Sequence, residues 1–483
     1  MKPRILRRRA APRGARTLLC LLLLGCAGAR AQAPPEAAPG LCNFRRAYSG
    51  SDLPGQLTAL QLCAGEPELM AFERRYRRRA ELWIRSAGAS PLRVVTRPQE
   101  APASSAWILD SAPESSEGQL RWHPGEPVEG ERWFVCVGTG GEENVDLYLG
   151  AYPSGRSFRL TQHPGNDFMP AWSPDGDALV FVSGRTGNAD LFLLTGLNDV
   201  IRGSGTAIAQ REPRQLTVSP GEDLYPVWSP DGRYIAYTAH GMGPRETGSR
   251  ENDGIMILPA RAEMGEAIRV THDAAAAEFR PSWAPDMSLI AYYVQSDEVY
   301  HDAETPADRE VHLAVSQLER CVEDGRIMGG RRLWGVTRYL ASSVVPDISE
   351  GPLWLGADPP ALLYVRRSAG EGDLLCRASV SRWLSPGSDF EVILESGLAL
   401  KTSVSLLPGH RIGVCSGSGN DWEIWVGEID GAARVLPGEH PIAPYSLPCP
   451  STSTRSRHAS WLRTLILASL AAALGYAWGY AAH

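Results

Sequence analysis

The sequence predicts an all-β fold in which a small antiparallel sheet recurs along most of the chain. The first observation is a segment at residues 170–176 that recurs at 226–232 and, less completely, at 281–286. The second is the spacing of its tryptophans, which are 56 and then 55 residues apart. The third is the alternating, β-rich run that follows each copy. Periods of this length are typical of solenoids, propellers and arrays.

Each copy contains the residues of a tight turn. Proline sets φ for the second turn position, aspartate accepts a local backbone hydrogen bond, and glycine adopts the positive φ that closes the turn. The tryptophan therefore ends an inner strand, and the turn leads into the next strand. The residues with this structural role are Trp172, Pro174, Asp175, Gly176, Trp228, Pro230, Asp231, Gly232, Trp283, Pro285 and Asp286.

The copies also match ahead of the turn. Arg-Leu-Thr at 159–161 corresponds to Gln-Leu-Thr at 215–217, and Gly-Asn-Asp at 165–167 corresponds to Gly-Glu-Asp at 221–223. This repeat resembles that of TolB-like β-propellers, over roughly residues 120–450. The resemblance implies a ring of four-stranded blades. TolB is a periplasmic part of a cell-envelope system that contacts a peptidoglycan-associated lipoprotein, so a similar scaffold role is expected here without an identified partner.

We predict a β-propeller of six four-stranded blades within residues 69–437, with seven blades as the alternative. The tryptophans that mark blades are Trp122, Trp172, Trp228, Trp283 and Trp354, and the sixth blade is predicted from residue 403 to 426. Segments 81–85 and 92–96 are predicted to be outer strands. We expect them to pair with the last blade near residues 422–426, because a closed ring leaves no unpaired edge. A seventh unit at residues 69–110 is the alternative.

Residues 1–31 are typical of an export leader, with a basic region, an apolar run at 18–24 and then small residues. Cys26 stands in a segment that resembles a lipoprotein box, so lipidation of Cys26 is the alternative to cleavage before Gln32. Residues 32–68 are predicted to form a linker and N-terminal segment. Within it, Cys42 and Cys63 are a candidate disulfide pair, since an exported protein meets an oxidising compartment.

A membrane anchor is predicted at the other end of the chain. Residues 438–463 form a Pro/Ser-rich tether, and residues 464–482 lack any charge over the length that a membrane-spanning helix needs. Gly475 and Gly479 have the spacing that lets two such helices pair. We therefore expect a single-pass protein on the periplasmic face of the bacterial cell membrane, with a lipoprotein as the alternative.

The composition and the motifs exclude several classes of function. A net charge of −7 and the absence of a basic domain disfavour nucleic-acid binding. No Gly-x-Ser-x-Gly elbow, phosphate-binding loop, His-Glu-x-x-His or Cys-x-x-Cys pair is present. The sequence therefore predicts no catalytic residue, no cofactor and no metal. Insertions at residues 244–254 and 296–310 are predicted to be solvated loops.

The sequence favours a non-enzymatic scaffold that binds one or more proteins of the cell envelope. In a propeller, the loops that lead into the inner strands meet at one end of the ring. The residues that we predict to contact a partner there are Asn166, Asp167, Glu222, Asp223 and Glu278. The alternative function is a hydrolase, or a protein that binds a small ligand or carbohydrate, with its site in the central channel.

Overall fold

The structure is a computed structural model, and it describes most of the chain between residues 41 and 436. The described residues are 41–49, 55–76, 79–94, 117–139, 144–203, 212–240, 253–261, 267–271, 276–296, 311–318, 322–323, 326–327, 337–341, 343–346, 350–356, 360–368, 372–380, 390–394, 401–407, 410–418, 421–430 and 434–436. All of them belong to one unit, residues 37–483, whereas residues 1–36 form a separate unit outside the described residues.

Tight turns join short, apolar strands into antiparallel sheets, so the local pattern of the sequence produces one blade after another. The described residues form seven blades, named here in chain order. Blade 1 consists of β2 (Gln56–Cys63), β3 (Glu66–Tyr76), β4 (Arg79–Arg85) and β5 (Leu92–Val94). Blade 2 consists of β6 (Glu117–Trp122), β7 (Arg132–Gly138), β8 (Asp146–Tyr152) and β9 (Ser157–Arg159).

The next three blades contain the repeated turn. Blade 3 consists of β10 (Asp167–Trp172), β11 (Ala178–Ser183), β12 (Asp190–Thr195) and β13 (Arg214–Gln215), with helix α1 (Leu197–Arg202) after β12. Blade 4 consists of β14 (Asp223–Trp228), β15 (Tyr234–Ala239), β16 (Gly254–Pro259) and β17 (Ile268–Arg269). Blade 5 consists of β18 (Ala276–Trp283), β19 (Leu289–Ser296), β20 (Val311–Gln317) and β23 (Thr337–Ala341). A separate ribbon pairs β21 (Val322–Glu323) with β22 (Arg326–Ile327).

Blades 6 and 7 depart from this pattern. In blade 6 the inner position is shared by β24 (Val344–Val345) and β25 (Leu353–Leu355), which both pair with β26 (Ala361–Ser368). Its remaining strands are β27 (Gly372–Ser379), β28 (Phe390–Leu394) and β32 (Arg434–Leu436). Blade 7 consists of β29 (Lys401–Leu407), β30 (Arg411–Ser418), β31 (Asp421–Ile429) and β1 (Leu41–Ser49), which comes from the other end of the described chain.

The structure corrects two of our predictions. The ring has seven blades rather than six, because residues 56–94 form a complete blade that lacks the tryptophan turn. The strand that closes the ring is β1, whereas the segments predicted to do so, 81–85 and 92–96, contain β4 and β5 of blade 1. These two segments pair with β3 and with each other within blade 1, so they do not belong to the sheet of blade 7. Strands β1 and β2 also lie within residues 32–68, ahead of the predicted start of the propeller.

Apolar side chains from neighbouring blades meet in clusters that follow the ring. One cluster joins blades 2, 3 and 4, and five others join blades 4 and 5, 5 and 6, 6 and 7, 7 and 1, and 1 and 2. Every junction of the seven blades is therefore filled by buried apolar surface. Burial of this kind is the main favourable term in folding, at roughly 25 cal/mol per Å².

Candidate functional site

A chain of tryptophan side chains connects the inner strands of the first six blades. Each indole Nε1 donates a hydrogen bond to a carbonyl on the inner strand of the preceding blade. The five bonds are Trp122 to Gln61 (3.3 Å), Trp172 to Arg121 (3.1 Å), Trp228 to Ala171 (3.1 Å), Trp283 to Val227 (3.2 Å) and Trp354 to Ser282 (3.1 Å). Each bond satisfies a donor and an acceptor that would otherwise meet water or remain unpaired. The tryptophans therefore fix neighbouring blades to one another around the channel.

The junction between blades 7 and 1 uses serine instead of tryptophan. The hydroxyl of Ser403 accepts a hydrogen bond from the backbone N–H of Leu60 at 3.0 Å, and Ser405 accepts one from Leu62 at 3.1 Å. The two blades approach closely here, since a Cβ at Gly413 would lie 2.8 Å from the Leu60 side chain. The motif search missed this junction because serine and glycine are common in loops and carry no propeller signal by themselves.

The inner strands of blades 1 to 5 share a β-bulge with a residue at positive φ. These residues are Ala59, Gln119, Met169, Tyr225 and Arg280, with φ between 50° and 55°. The register of each inner strand shifts at the same point against the second strand. A bulge bends the strand and re-aims a side chain. All five residues line the central channel as a result.

The end of the ring at which the inner strands finish carries the repeated turns, and we call it the turn face. Its opening is a cavity of 440 Å³, the vestibule. Its apolar lining includes Trp122, Pro124, Trp172, Pro174, Trp228, Pro230, Trp283 and Leu407. All three of these prolines are exposed, and three of the four tryptophans are half-buried. The vestibule therefore presents apolar side chains to solvent at the turn face.

The turns that frame the vestibule keep their shape by local hydrogen bonds. In the first, Gly176 N–H donates to the Ser173 carbonyl at 2.9 Å, and Asp175 Oδ1 accepts from Asp177 N–H at 3.1 Å. Gly176 has φ of 71° and Gly232 has φ of 70°. The third copy has methionine at this position, and Met287 still adopts φ of 62°.

His123 joins the vestibule to the first of these turns. Its Nε2 lies 3.2 Å from the Gly176 carbonyl oxygen, and its ring meets Trp172 edge-on at 5.0 Å. Burial lowers the pKa of His123 below its usual value, because desolvation disfavours the charged imidazole. His123 therefore contributes a neutral ring to the wall of the vestibule near pH 7.

Farther into the channel lies a second cavity of 190 Å³, which we call the mid-channel cavity. It shares Arg121, Ala171, Val227 and Ser282 with the vestibule, so the two cavities are successive parts of one channel. The charged residues in its lining are Glu73, Arg75, Arg121, Arg280 and Glu350. The described charged residues of this cavity therefore include more arginines than carboxylates.

Glu350 reaches the channel because the inner strand of blade 6 is interrupted between β24 and β25. Its carboxylate lies 2.9 Å from the guanidinium of Arg121 in blade 2. It also accepts a hydrogen bond from Gln61 of blade 1 at 2.7 Å. Gly351 lies directly on blade 5, since a Cβ there would be 2.9 Å from the Arg280 carbonyl oxygen. The interrupted strand thus ties four blades together across the channel.

The five residues predicted to contact a partner lie at the other end of the ring, the loop face. Asp167 is fully buried and forms a two-pronged ion pair with Arg185 at 2.9 and 3.1 Å. Asn166 Oδ1 accepts a hydrogen bond from Val145 N–H of blade 2 at 3.1 Å. Both side chains are therefore used within the ring.

Glu222, Asp223 and Glu278 belong to the neighbouring blades on the loop face. Asp223 and Glu278 are each 1% exposed, and Glu222 is half-buried. Asp223 accepts a hydrogen bond from Ser219 Oγ at 3.2 Å. Desolvation nevertheless raises the pKa of Asp223 to about 6. Partner contact by the five residues stays a prediction, while the burial of three of them favours a role in the stability of the ring.

His240 and Asp253 lie on the same blade as Asp223, and the sequence had not marked either. The imidazole Nδ1 of His240 lies 2.6 Å from Asp253 Oδ1, and both side chains are nearly buried. His240 favours the ionised form of the Asp223 carboxyl, which opposes the larger effect of desolvation. Among the described residues, no group of three or more His, Cys, Asp or Glu side chains is arranged to hold a metal ion.

Four described cysteines are buried: Cys63, Cys136, Cys376 and Cys415. Burial raises the pKa of Cys63 to about 11, so its thiolate is scarce near neutral pH. The side chain of Cys42 lies outside the described residues, and its disulfide with Cys63 stays a prediction. Several other predictions also concern residues outside the described ones. They are the predicted leader with Cys26, the insertions at 244–252 and 297–310, and the predicted anchor with Gly475 and Gly479.

Comparison with known proteins gives matches at the level of fold. No protein-family model matches the chain. A solved structure of TolB from Acinetobacter baumannii is 14% identical with a TM-score of 0.39, over 79% of this chain and 65% of that one. A putative TolB from Agrobacterium tumefaciens is 18% identical with a TM-score of 0.36, over 60% of this chain and 81% of that one.

A solved structure of a peptidase is also similar. A puromycin-hydrolysing peptidase of Mycobacterium tuberculosis is 13% identical with a TM-score of 0.48, over 84% of this chain and 57% of that one. The present chain thus spans less than two thirds of the length of A. baumannii TolB and of this peptidase. The chain is a β-propeller in its blade architecture, and its turn repeat resembles that of TolB-like propellers. Among the described residues, no helix is long and apolar enough to cross a membrane.

Proposed function

We propose that the chain is a non-enzymatic binding module of the cell envelope, and that its vestibule receives a segment of a partner protein. The observation that carries this proposal is the set of tryptophans and exposed prolines around the 440 Å³ opening. Tryptophan is enriched in interface hot spots, which lie in well-packed pockets at the centre of an interface. The vestibule presents such side chains around an open, solvent-accessible hollow.

Rigidity supports the same proposal. The indoles of Trp172 and Trp228 are held by hydrogen bonds to the preceding blades, and the prolines beside them have fixed φ. Side chains that are already ordered lose little conformational entropy when a partner binds. A partner segment with apolar side chains would therefore gain burial without ordering the vestibule.

The proposal places the propeller outside the cytoplasm, held by a helix at residues 464–482. The support is the basic, apolar and small-residue order of residues 1–31, and the uncharged length of the last segment. Protease treatment of intact spheroplasts tests this arrangement. We expect the propeller to be digested before the membrane is broken, and protection of the propeller until lysis would contradict an exported domain.

The vestibule can be tested by charge substitution at its exposed prolines. Pro174→Glu and Pro230→Glu place carboxylates at the opening, and glutamate remains compatible with the second position of this turn. We expect the double variant to lose capture of the partner by crosslinking in membranes, by at least tenfold relative to the unchanged protein.

Val218→Glu is the matched control, because Val218 is an apolar residue that is 87% exposed on the loop face. It should leave capture unchanged. All variants should unfold within a few degrees of the unchanged protein, so that a loss of capture reports the surface. Equal capture by the proline variant, or loss only in Val218→Glu, would show that the vestibule is not the contact surface.

A hydrolase with its site in the channel is the alternative that the sequence leaves open. The hydrolase alternative predicts turnover of a chromogenic ester or peptide. The rate of this turnover should fall when Glu73, the more buried carboxylate of the mid-channel cavity, is replaced by glutamine. The binding-module proposal predicts no turnover above that of buffer. Turnover that is lost in Glu73→Gln would therefore decide for the hydrolase.

A further inference from the structure

Arg280 is a charged side chain in the interior of the ring. Only 5% of its surface is exposed, and it lines the mid-channel cavity. Its guanidinium lies over the ring of Tyr225, 4.8 Å from the ring centre. Its Nε has no hydrogen-bond partner, and no carboxylate among the described residues forms an ion pair with it.

A buried guanidinium without a counter-charge is unfavourable. Arginine stays protonated in proteins, so it cannot avoid the cost of burial by losing its proton. Stacking on Tyr225 offsets part of the cost by cation–π attraction. Since Arg280 lines the cavity, an anion held there would supply the counter-charge that the described residues do not.

The two carboxylates of the cavity are already used by other groups. Glu73 lies 3.4 Å from Arg75 and accepts a hydrogen bond from the Gln119 N–H at 2.7 Å. Glu350 is paired with Arg121 at 2.9 Å. Among the described lining residues, three arginines stand against two carboxylates, so this part of the lining carries one excess positive charge.

We propose that the mid-channel cavity binds a small oxyanion, carrying carboxylate or phosphate groups, with Arg280 as its main ligand. The planar fork of arginine matches both kinds of group by paired hydrogen bonds. The volume of 190 Å³ suits a molecule of the size of phosphate or a four-carbon dicarboxylate, since one water occupies about 30 Å³ in the liquid. This site differs from the vestibule and does not depend on the partner proposed for it.

The probes are sodium phosphate and sodium succinate, each at a concentration on the order of 10 mM. The reference is sodium chloride at equal ionic strength, because screening by salt acts on every charged group. Thermal unfolding of the unchanged protein should shift upward with at least one probe and not with chloride. A probe at about 100 times its Kd raises the folding equilibrium constant about 100-fold. Isothermal calorimetry should show one site per chain. The probe that binds more tightly shows whether the site prefers a carboxylate or a phosphate group.

Arg280→Gln removes the charge and should abolish the probe-dependent shift. Without probe, this variant should unfold at a higher temperature than the unchanged protein, because the unbalanced charge is gone. Arg280→Lys keeps the charge but lacks the fork, so its Kd should rise about tenfold. Arg156→Gln is the matched control, since Arg156 also lies over an aromatic ring, that of Trp133 at 5.2 Å, but outside the channel.

Three outcomes would overturn the proposal. One is an equal response to phosphate, succinate and chloride in the unchanged protein. Another is a probe-dependent shift that survives in Arg280→Gln or disappears in Arg156→Gln. The third is calorimetric binding of a tetraglutamate peptide without binding of either small probe, which would assign the cavity to an acidic segment of a protein. If Arg280→Gln fails to fold, the tenfold loss in Arg280→Lys decides the matter.

Discussion

Gly176 and Gly232 occupy equivalent turns, yet a methyl group meets different surroundings at the two positions. Both have φ near 70°, which any residue with a Cβ adopts at a cost of about 1 kcal/mol. A Cβ at Gly176 would lie 2.1 Å from Nε2 of His123, whereas a Cβ at Gly232 meets nothing closer than Pro174 at 3.5 Å. We therefore predict that Gly176→Ala destabilises the ring more than Gly232→Ala.

Denaturant unfolding measures this difference. Gly232→Ala should reduce the free energy of unfolding by about 1 kcal/mol, and Gly176→Ala by about 2–4 kcal/mol, because His123 has to leave its place against Trp172. The double variant Gly176→Ala with His123→Ala should recover part of the loss. Equal losses in the two single variants would show that His123 moves aside without cost.

Asp223 gives the ring a dependence on pH that is unusual for a carboxylate. Its pKa is raised from 3.8 to about 6, mainly by burial, with Asp190 adding to the rise and His240 opposing it. The folded state then holds a proton that the unfolded state has released, so stability falls as pH rises from about 4 to about 6. Asp223→Asn should remove this slope and raise stability at pH 7, by at most about 3 kcal/mol.

The measurement is the free energy of unfolding at several pH values, compared between the variant and the unchanged protein. Asp421→Asn serves as the control, because Asp421 is exposed on β31. The difference between Asp223→Asn and the unchanged protein should grow between pH 4 and pH 6 and then level off. A constant difference across this range would mean that Asp223 does not titrate there.

Some of these residues could be identified from the sequence because their roles are local. The Pro-Asp-Gly order defines a turn by its own backbone preferences, and no distant contact is needed to recognise it. The acids of the loop face are different. Asp167 and Asp223 stand in polar stretches of the sequence, but their backbone N–H groups donate to carbonyls of the preceding blades, at Val145 and Ala189, and both side chains are buried.

At the scale of single elements, β1 is the strand whose removal tests the closure of the ring. It pairs with β31 and adds Ala47 and Tyr48 to the core between blades 7 and 1. Phe44 stacks on Trp425 at 5.3 Å, and Arg46 pairs with Glu423 at 2.7 Å. A chain that starts at residue 50 should therefore lose several kcal/mol of stability, on the scale of deleting large buried side chains.

The exposed edge of β31 should also promote association, since unpaired strand edges are templates for pairing with other chains. Size-exclusion chromatography with light scattering would show this as oligomers. A chain that starts at Leu41 keeps the strand and should remain stable. A synthetic peptide of residues 41–49 should restore the monomer, as strand addition does at other sheet edges. A stable monomer without residues 41–49 and without the peptide would contradict closure by β1.

Six of the seven blades could be located from the sequence, and blade 1 is the exception. The turn between β2 and β3 contains only Ala64 and Gly65, and no tryptophan precedes it. Two of its hydrogen bonds to blade 7 run from backbone N–H groups to serine hydroxyls, which carry no sequence signal of their own. A blade that is held in this way resembles any other hairpin in the sequence, so its place in the ring appears only with the neighbours present.

At the scale of the whole molecule, the channel is a product of assembly. The lining of the mid-channel cavity comes from six blades, and its charged residues span from Glu73 to Glu350. No spacing rule joins positions that lie so far apart in the chain. The sequence could therefore suggest a site in the channel only as an alternative, without naming a residue, whereas the fold of six blades followed from their own patterns.

Closure by β1 also sets an order of events during synthesis. The strand made first has to wait for β31, which begins at residue 421. At about 5–20 residues per second, this interval is roughly 20–75 seconds for a chain of this length. Only a polypeptide that has been translated as far as blade 7 can join its two ends. A chain that is interrupted before blade 7 leaves β1 without its partner strand β31. The resulting unpaired strand edge is a feature by which proteases and chaperones can distinguish such a chain from the finished protein.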